Sequence, residues 1–326
     1  MPVSTGREAV GPLITIAITC YNAEDTVQRA LDSALAQTWT AREIIIVDDG
    51  STDRSATLLE ERERIRDDIR VIRHGLNRGV AAARNTLLSH ANGTFIAFFD
   101  DDDESVPDRL EQQYRRLLAY ESTRAAATVL CYSNREVIRT GERRPTSQPV
   151  GIGRVPPAPS GPVVADYVLG LFREDGRHSW GLLGSGTLMA RTEVLRGFGG
   201  FDAQFRRCAE LDLAVRAALK GAHFISVDAP LVTQYMTPSA DKANEADLRY
   251  RLLLVRKHRC YLEEKRCYVG ACCYMNAWFY RCRHWQWRFW YVAALVCFPW
   301  RVSWRRIKRS SLLARMRLSP TGATSP

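Results

Sequence analysis

The residues best able to do chemistry in this chain are acidic and stand at the ends of apolar runs. Asp48 and Asp49 close "EIIIVDD" (Glu43 to Asp49), and Asp100, Asp101, Asp102 and Asp103 follow directly on "TFIAFF" (Thr94 to Phe99). Four adjacent carboxylates repel one another, so a positive charge is expected beside them. Carboxylate oxygens suit hard divalent cations, and an ion such as Mg²⁺ or Mn²⁺ binds one or two carboxylates together with a substrate phosphate. A second acidic group, Glu210 and Asp212, opens the amphipathic stretch "AELDLAVRAALKG". Each feature also has an ordinary structural use: Asp103 or Ser105 could cap a helix opened by Pro107. Glu210 suits a helix N-terminus, and Asp212 is spaced to pair with Arg216.

The elements that must position these residues follow from periodicity. "LITIAIT", "EIIIVDD", "IRVIRH", "TFIAFFD" and "ATVLCYS" read as strands; "AEDTVQRALDSALAQ", a segment from about Asp53, "GVAAARNTLLSHA" and Pro107 to about Tyr120 read as helices between them. Nearly continuous apolar strands alternating with helices indicate an α/β sheet covered on both faces. Ligands of such sheets sit beyond the carboxyl ends of the strands, so both acidic strand ends should face one crevice. Residues 141–162, rich in Pro and Gly, read as a loop or lid. A short helix near Val164 to Phe172, the segment "WGLLGSGTLMARTEVLRGFGGFD" and the helix ended by Gly221 come next.

Composition narrows the classes. The formal charge of +10 is unevenly spread: from Tyr250 onward sixteen Lys and Arg face only Glu263 and Glu264, a net of +14, which leaves about −4 for the first 249 residues. A nucleic-acid partner for the whole chain therefore has little support. Nine cysteines without CxxC spacing, and an N-terminus without a long apolar core, predict neither a disulfide framework nor a secretory leader, and point to a reducing cytosol. In the tail, Phe289 to Trp300 is apolar but too short to span a bilayer, and the basic run Arg301 to Arg309 follows. That pattern predicts a helix lying on an anionic membrane, peripheral to its cytoplasmic face. The alternative is a helix packed on the catalytic domain or on another subunit.

Taken together, "ITIAITCYNAEDTVQRALDSALAQTW", "EIIIVDDGSTD", "NRGVAAARN" and "FIAFFDDDDESVPDRLE" resemble the family 2 glycosyltransferases of GT-A fold. The likeness covers roughly residues 12–230. It implies a Rossmann-like mixed central sheet flanked by helices, with a helical C-terminal extension. It also implies an N-terminal tail (1–11), a catalytic domain (12–235, with a nucleotide-sugar half 12–135 and an acceptor half 163–235) and a basic aromatic tail (236–326). The resemblance places nucleotide contacts at Thr19, Tyr21, Asp49 and Arg84, with the donor usually a UDP-sugar. It places the D-x-D signature at Asp100 and Asp102, as ligands of Mn²⁺ or Mg²⁺, and Asp101 could share that role because all its neighbours are aspartates. In the family the general base is the second acid of an "ED" pair, which aligns with Glu210 here, while Ala209 stands where the first acid would be; Asp212 is the second candidate. The implied reaction is inverting transfer of a sugar to a glycan or lipid-linked acceptor in surface polysaccharide synthesis.

Gly184 and Gly186 would let backbone approach the substrate, or simply bend a strand. His178 and Trp180 could stack on a sugar or fill a small core. Two rivals remain. An inactive transferase-like scaffold is kept open by Ala209 and Glu210. A nucleotidyltransferase is disfavoured because "TCYNAEDT" has no glycine or basic residue to hold a triphosphate.

Overall fold

The computed structural model describes residues 11–124, 128–171, 176–236, 245–280 and 286–297. The chain divides into two compact units, residues 1–162 with 176–239, and residues 163–175 with 240–326.

The first unit is built on one sheet. Its elements begin with β1 (Ile14–Cys20), α1 (Val27–Leu35), β2 (Arg42–Asp48), α2 (Ser55–Arg64), β3 (Ile69–Arg73), α3 (Val80–His90) and β4 (Phe95–Asp100). They continue with β5 (Glu104–Ser105), α4 (Arg109–Thr123), β6 (Val129–Arg139), a 3₁₀ turn (Ser185–Thr187), β7 (Met189–Arg191), α6 (Thr192–Gly197), α7 (Ala209–Leu219) and β8 (His223–Met236); α5 (Pro162–Val168), which precedes the 3₁₀ turn in sequence, belongs to the second unit. The sheet order is β3-β2-β1-β4-β7-β6-β8-β5. The four strands from β3 to β4 are parallel, β7 runs antiparallel to both β4 and β6, and β6 and β8 are parallel.

Burial explains the strand sequences. Ile14, Ile16 and Ile18 of β1, Ile44 and Ile46 of β2 and Phe95 and Ala97 of β4 lie in one core with Val27, Leu31 and Ala34 of α1. Each large apolar side chain removed from water there contributes about 1.5–3 kcal/mol relative to exposure. The intervening Ala17, Ile45, Val47, Ile96 and Phe98 are buried as well, so both faces are covered and the runs are unbroken. Register then sets the site: Thr19 pairs with Val47 and with Asp100, and Cys20 pairs with Asp48, so β1, β2 and β4 end level.

Residues beyond 140 depart from a free loop. Val137 bridges Ser147, Gly151 bridges Leu182 and Ser160 bridges His223, which lays the Pro-rich stretch along β6 and β8. Gly153 adopts φ 68°, and a Cβ there would overlap the Phe224 carbonyl, so glycine is required for the approach.

The second unit contains α5, α8 (Glu245–Lys257), α9 (Arg259–Glu264), α10 (Tyr268–Tyr280) and α11 (Gln286–Cys297). Lys265 and the Tyr261 hydroxyl tie α9 and its end to Asp166 of α5, at 2.7 and 2.8 Å. Residues 163–171 thus fall with the C-terminal helices, outside the unit that holds the rest of the acceptor half expected at 163–235. The eight cysteines among the described residues form no disulfide.

Candidate active site

Three elements converge on Arg84. The side chain rises from α3 and is only 7% exposed, its Nη2 lying 3.4 Å from Asp100 Oδ1 at the end of β4. Its Nη1 lies 4.0 Å from Glu210 Oε2, in the first turn of α7. Helix α7 starts abruptly, because Cys208 adopts a left-handed conformation (φ 63°) and its carbonyl accepts the N–H groups of Leu211 and Asp212. Gly186, in the 3₁₀ turn, presses its backbone on Asp100: a Cβ there would overlap Asp100 Oδ2. On β6, Tyr132 is buried, and burial together with the negative charge of Glu210 raises its phenol. The predicted nucleotide contact, metal ligand and base are thereby brought together by residues distant in sequence.

The aspartate run is held residue by residue. Asp101 Oδ2 accepts the Tyr21 backbone N–H at 2.9 Å, the Asp102 carbonyl accepts Arg29 Nη2 at 2.6 Å, and Asp103 Oδ1 accepts the Tyr235 N–H at 3.3 Å. Tyr235 also donates its hydroxyl to Glu104 at 2.5 Å and stacks under the Arg29 guanidinium, 3.9 Å from the ring centroid. Arg109, wholly buried, donates to the Phe98 carbonyl (2.8 Å), Ser105 Oγ (2.9 Å) and Gln113 Oε1 (3.0 Å). Burial lowers the Arg109 guanidinium to about 10, against the opposing pull of Asp100 and Asp103. Burial and neighbouring carboxylates raise Asp101 to about 7 and Asp103 to about 8, which lessens the repulsion.

The remaining predicted residues are placed as follows. Asp49 is buried with both oxygens engaged, Oδ1 by His74 Nδ1 (2.6 Å) and the Arg78 N–H (3.0 Å), Oδ2 by the Gly79 N–H (2.7 Å). It secures the loop that starts α3. Its neighbour Asp48 accepts the Ser51 N–H through Oδ1 (3.2 Å), while its buried Oδ2 makes no hydrogen bond and lies 3.7 Å from Arg73 Nε. Thr19 is half-buried at the strand end, and Tyr21 is 47% exposed. Asp212 is fully buried on the side of α7 away from Glu210, since two residues turn a helix by about 200°. Its Oδ2 holds Arg216 Nε at 2.8 Å, and Arg216 in turn donates to the carbonyls of Phe198 and Gly200. Asp212 is therefore engaged as the i, i+4 partner that fixes the 198–200 turn, and the structure does not bring it to Arg84. His178 and Trp180 pair with each other, ring centroids 5.6 Å apart, both half-buried. Gly184 is half-buried next to Arg135.

Arg29, Arg109, Tyr132 and Tyr235 are absent from the sequence-based set. Only Arg109 carried a local signal: Ser105, Arg109 and Gln113 recur every four residues, the spacing of one helix face.

Among the described residues no group of three or more His, Cys, Asp or Glu side chains is arranged to hold a metal by itself. The donor chemistry nevertheless fits Mg²⁺ or Mn²⁺, which take one or two carboxylates and complete their shell with water and phosphate. The close Gly186 backbone leaves the Asp100 carboxylate uncrowded by a side chain on that side.

Comparison with known proteins agrees with this geometry. Residues 15–160 match the sequence model described as glycosyl transferase family 2. The putative teichuronic acid biosynthesis glycosyltransferase TuaG of Bacillus subtilis (strain 168) is 40% identical over 102 residues, 31% of this chain and 40% of that protein. The UDP-Glc:alpha-D-GlcNAc-diphosphoundecaprenol beta-1,3-glucosyltransferase WfgD of Escherichia coli is 37% identical over 106 residues, 32% of this chain and 41% of that protein. The chain spans less than half the length of these curated relatives. Among solved structures, S. aureus TarS superposes with a TM-score of 0.55 at 17% identity, covering 94% of this chain and 53% of TarS. The mannosyltransferase PcManGT of Pyrobaculum calidifontis, solved with GDP-Man and Mn²⁺, gives 0.55 at 16% identity, covering 98% and 84%. In sequence, residues 15–160 are thus similar to family 2 glycosyl transferases, and the chain shares the GT-A fold of these solved structures.

Proposed function

We propose that the protein is a metal-dependent inverting glycosyltransferase that moves a sugar from a nucleoside diphosphate donor, a UDP-sugar in the first instance, to a hydroxyl of a glycan or lipid-linked acceptor. The observation that carries this reading is the placement of Asp100 and Glu210 on either side of Arg84, at 3.4 and 4.0 Å. Glu210 takes the proton of the acceptor hydroxyl as its oxygen bonds to the anomeric carbon. The bond from that carbon to the diphosphate oxygen breaks on the opposite face, which inverts the centre. Asp100 and Asp102 would hold Mg²⁺ or Mn²⁺, an ion that supplies charge for the departing diphosphate. Arg84 and the level ends of β1, β2 and β4 bind and orient the nucleotide. UDP-GlcNAc, bound in a TarS structure, and GDP-Man, bound in PcManGT, are sensible first donors.

The test is a thermal-shift series of the full chain with UDP-Glc, UDP-GlcNAc and GDP-Man, with and without Mn²⁺. A donor bound to the folded state raises the transition, by about 2.7 kcal/mol of apparent stability at a hundred times its dissociation constant. A transition unmoved by any of these donors sinks the reading.

The acceptor end of the proposal concerns the tail. Helix α11 turns Phe289 (60% exposed), Val292 (56%) and Val296 (76%) outward on one face while burying Tyr291 and Ala294 on the other. Among the described residues no helix is long and apolar enough to cross a membrane, and Arg301 to Arg309 lie outside them. An apolar helix face followed in sequence by a basic run fits peripheral attachment to an anionic lipid surface. Full-length protein should co-sediment with vesicles containing anionic lipid, and a chain ending at residue 267 should not; equal partitioning of the two refutes the attachment.

A further inference from the structure

Arg84 has two carboxylates to satisfy and offers each of them one arm. The guanidinium is 7% exposed, and Asp100 and Glu210 are 28% and 29% exposed, so the cation is fixed within the protein while both anions reach solvent. Neither contact is a closed bidentate pair, the arrangement in which an Arg–carboxylate bond is strongest. Nη2 leans on Asp100 at 3.4 Å and Nη1 on Glu210 at 4.0 Å. Phe201, packed edge-on against Phe98, lies 5.5 Å from the guanidinium and limits its swing away from the pair. The longer arm is the one that a stronger anion can capture, and a diphosphate at the β4 end is such an anion. Glu210 is also the group that must be unengaged to receive a proton.

The geometry points to Arg84 as a latch on the base: in the free protein it holds Glu210, and the diphosphate of the donor takes over its Nη1 and releases Glu210 toward the acceptor hydroxyl. This inference rests on the function proposed above. It gives an order to the reaction, since Glu210 becomes available only after the nucleotide has bound. Arg84 is here a positioning residue for Glu210.

Reciprocity makes the latch measurable without turnover. If UDP must displace Glu210 from Arg84, removing the charge of Glu210 must tighten UDP, and must do so only when Arg84 is present. The experiment is calorimetric titration of UDP with Mg²⁺ into the full chain as wild type, Glu210→Gln, Arg84→Gln and the double variant. Arg84→Lys serves as a second variant that keeps the charge on a single arm. Glu210→Gln should tighten UDP about fivefold in the wild-type background and leave it unchanged, within about 1.5-fold, where Arg84 is Gln. Arg84→Lys should retain part of the effect. An unchanged UDP affinity in Glu210→Gln overturns the latch. So does a tightening that persists in Arg84→Gln, because simple repulsion between Glu210 and the phosphates would then explain it. If the wild type binds UDP without this coupling, the latch alone falls. If it binds no nucleoside diphosphate, the proposed function and the latch fall together.

Discussion

Glu210→Gln should reduce sugar transfer by about 10²- to 10⁴-fold, the usual contribution of a positioned general base, while the protein stays folded and binds UDP. The substitution keeps the shape of the side chain and removes its ability to take a proton. The loss should appear in kcat, with the donor KM not raised, because a general base acts on the acceptor hydroxyl and Glu210 meets Arg84 only at 4.0 Å. Asp212→Asn should give the contrasting phenotype. Its partner Arg216 holds the carbonyls of Phe198 and Gly200, so the change should lower stability and affect chemistry only through folding. Steady-state transfer with a saturating UDP-sugar and a simple glycan acceptor, beside urea unfolding of both variants, separates the two. A Gln variant within tenfold of wild type would remove Glu210 from the mechanism and favour the scaffold reading that Ala209 leaves open.

Arg109→Met should cost about 3–5 kcal/mol of unfolding free energy, the range seen when one partner of a buried charged network is removed. Methionine replaces the length of the side chain but none of its donors. The Phe98 carbonyl and Ser105 Oγ lose their Arg109 partner, and Gln113 Oε1 loses its own while its Nε2 remains committed to the carbonyls of Thr187 (2.8 Å) and Cys131 (3.3 Å). An unsatisfied buried acceptor costs about 1–3 kcal/mol, so the three losses reach this total without help from electrostatics. Urea midpoints measured with a fixed denaturant slope give the number. A loss below about 1 kcal/mol would show that these three acceptors do not rely on this guanidinium.

How far the sequence was legible depends on how local each signal was. The strands β1, β2, β3 and β4 and the helices α1, α3, α4 and α7 are visible as unbroken apolar runs and amphipathic stretches, because each buries its pattern within its own length. Strand β8 was not read. Asp228 and Pro230 interrupt its apolar run, and the shift in register opposite Ser133 and Asn134 absorbs them only in the folded sheet. The Pro-rich segment carried no periodicity because its order comes from isolated bridges to β6 and β8 rather than from a repeating element.

Sequence by itself determined that acidic residues would crowd the carboxyl ends of strands in an α/β sheet, since each unbroken apolar run stops where the carboxylates begin. It also determined that Glu210 would stand at a helix start. Only the tertiary structure decided which of these acids remain available for chemistry. It hydrogen-bonded Asp49 to the loop that starts α3 and Asp212 to Arg216, and set the Arg109 guanidinium against the Phe98 carbonyl. It also set Arg84 between Asp100 and Glu210. The physical reason is range. Hydrophobic periodicity acts between residues a few positions apart, whereas a buried charge is matched by whatever group the strand order brings within a few ångströms, from any distance along the chain.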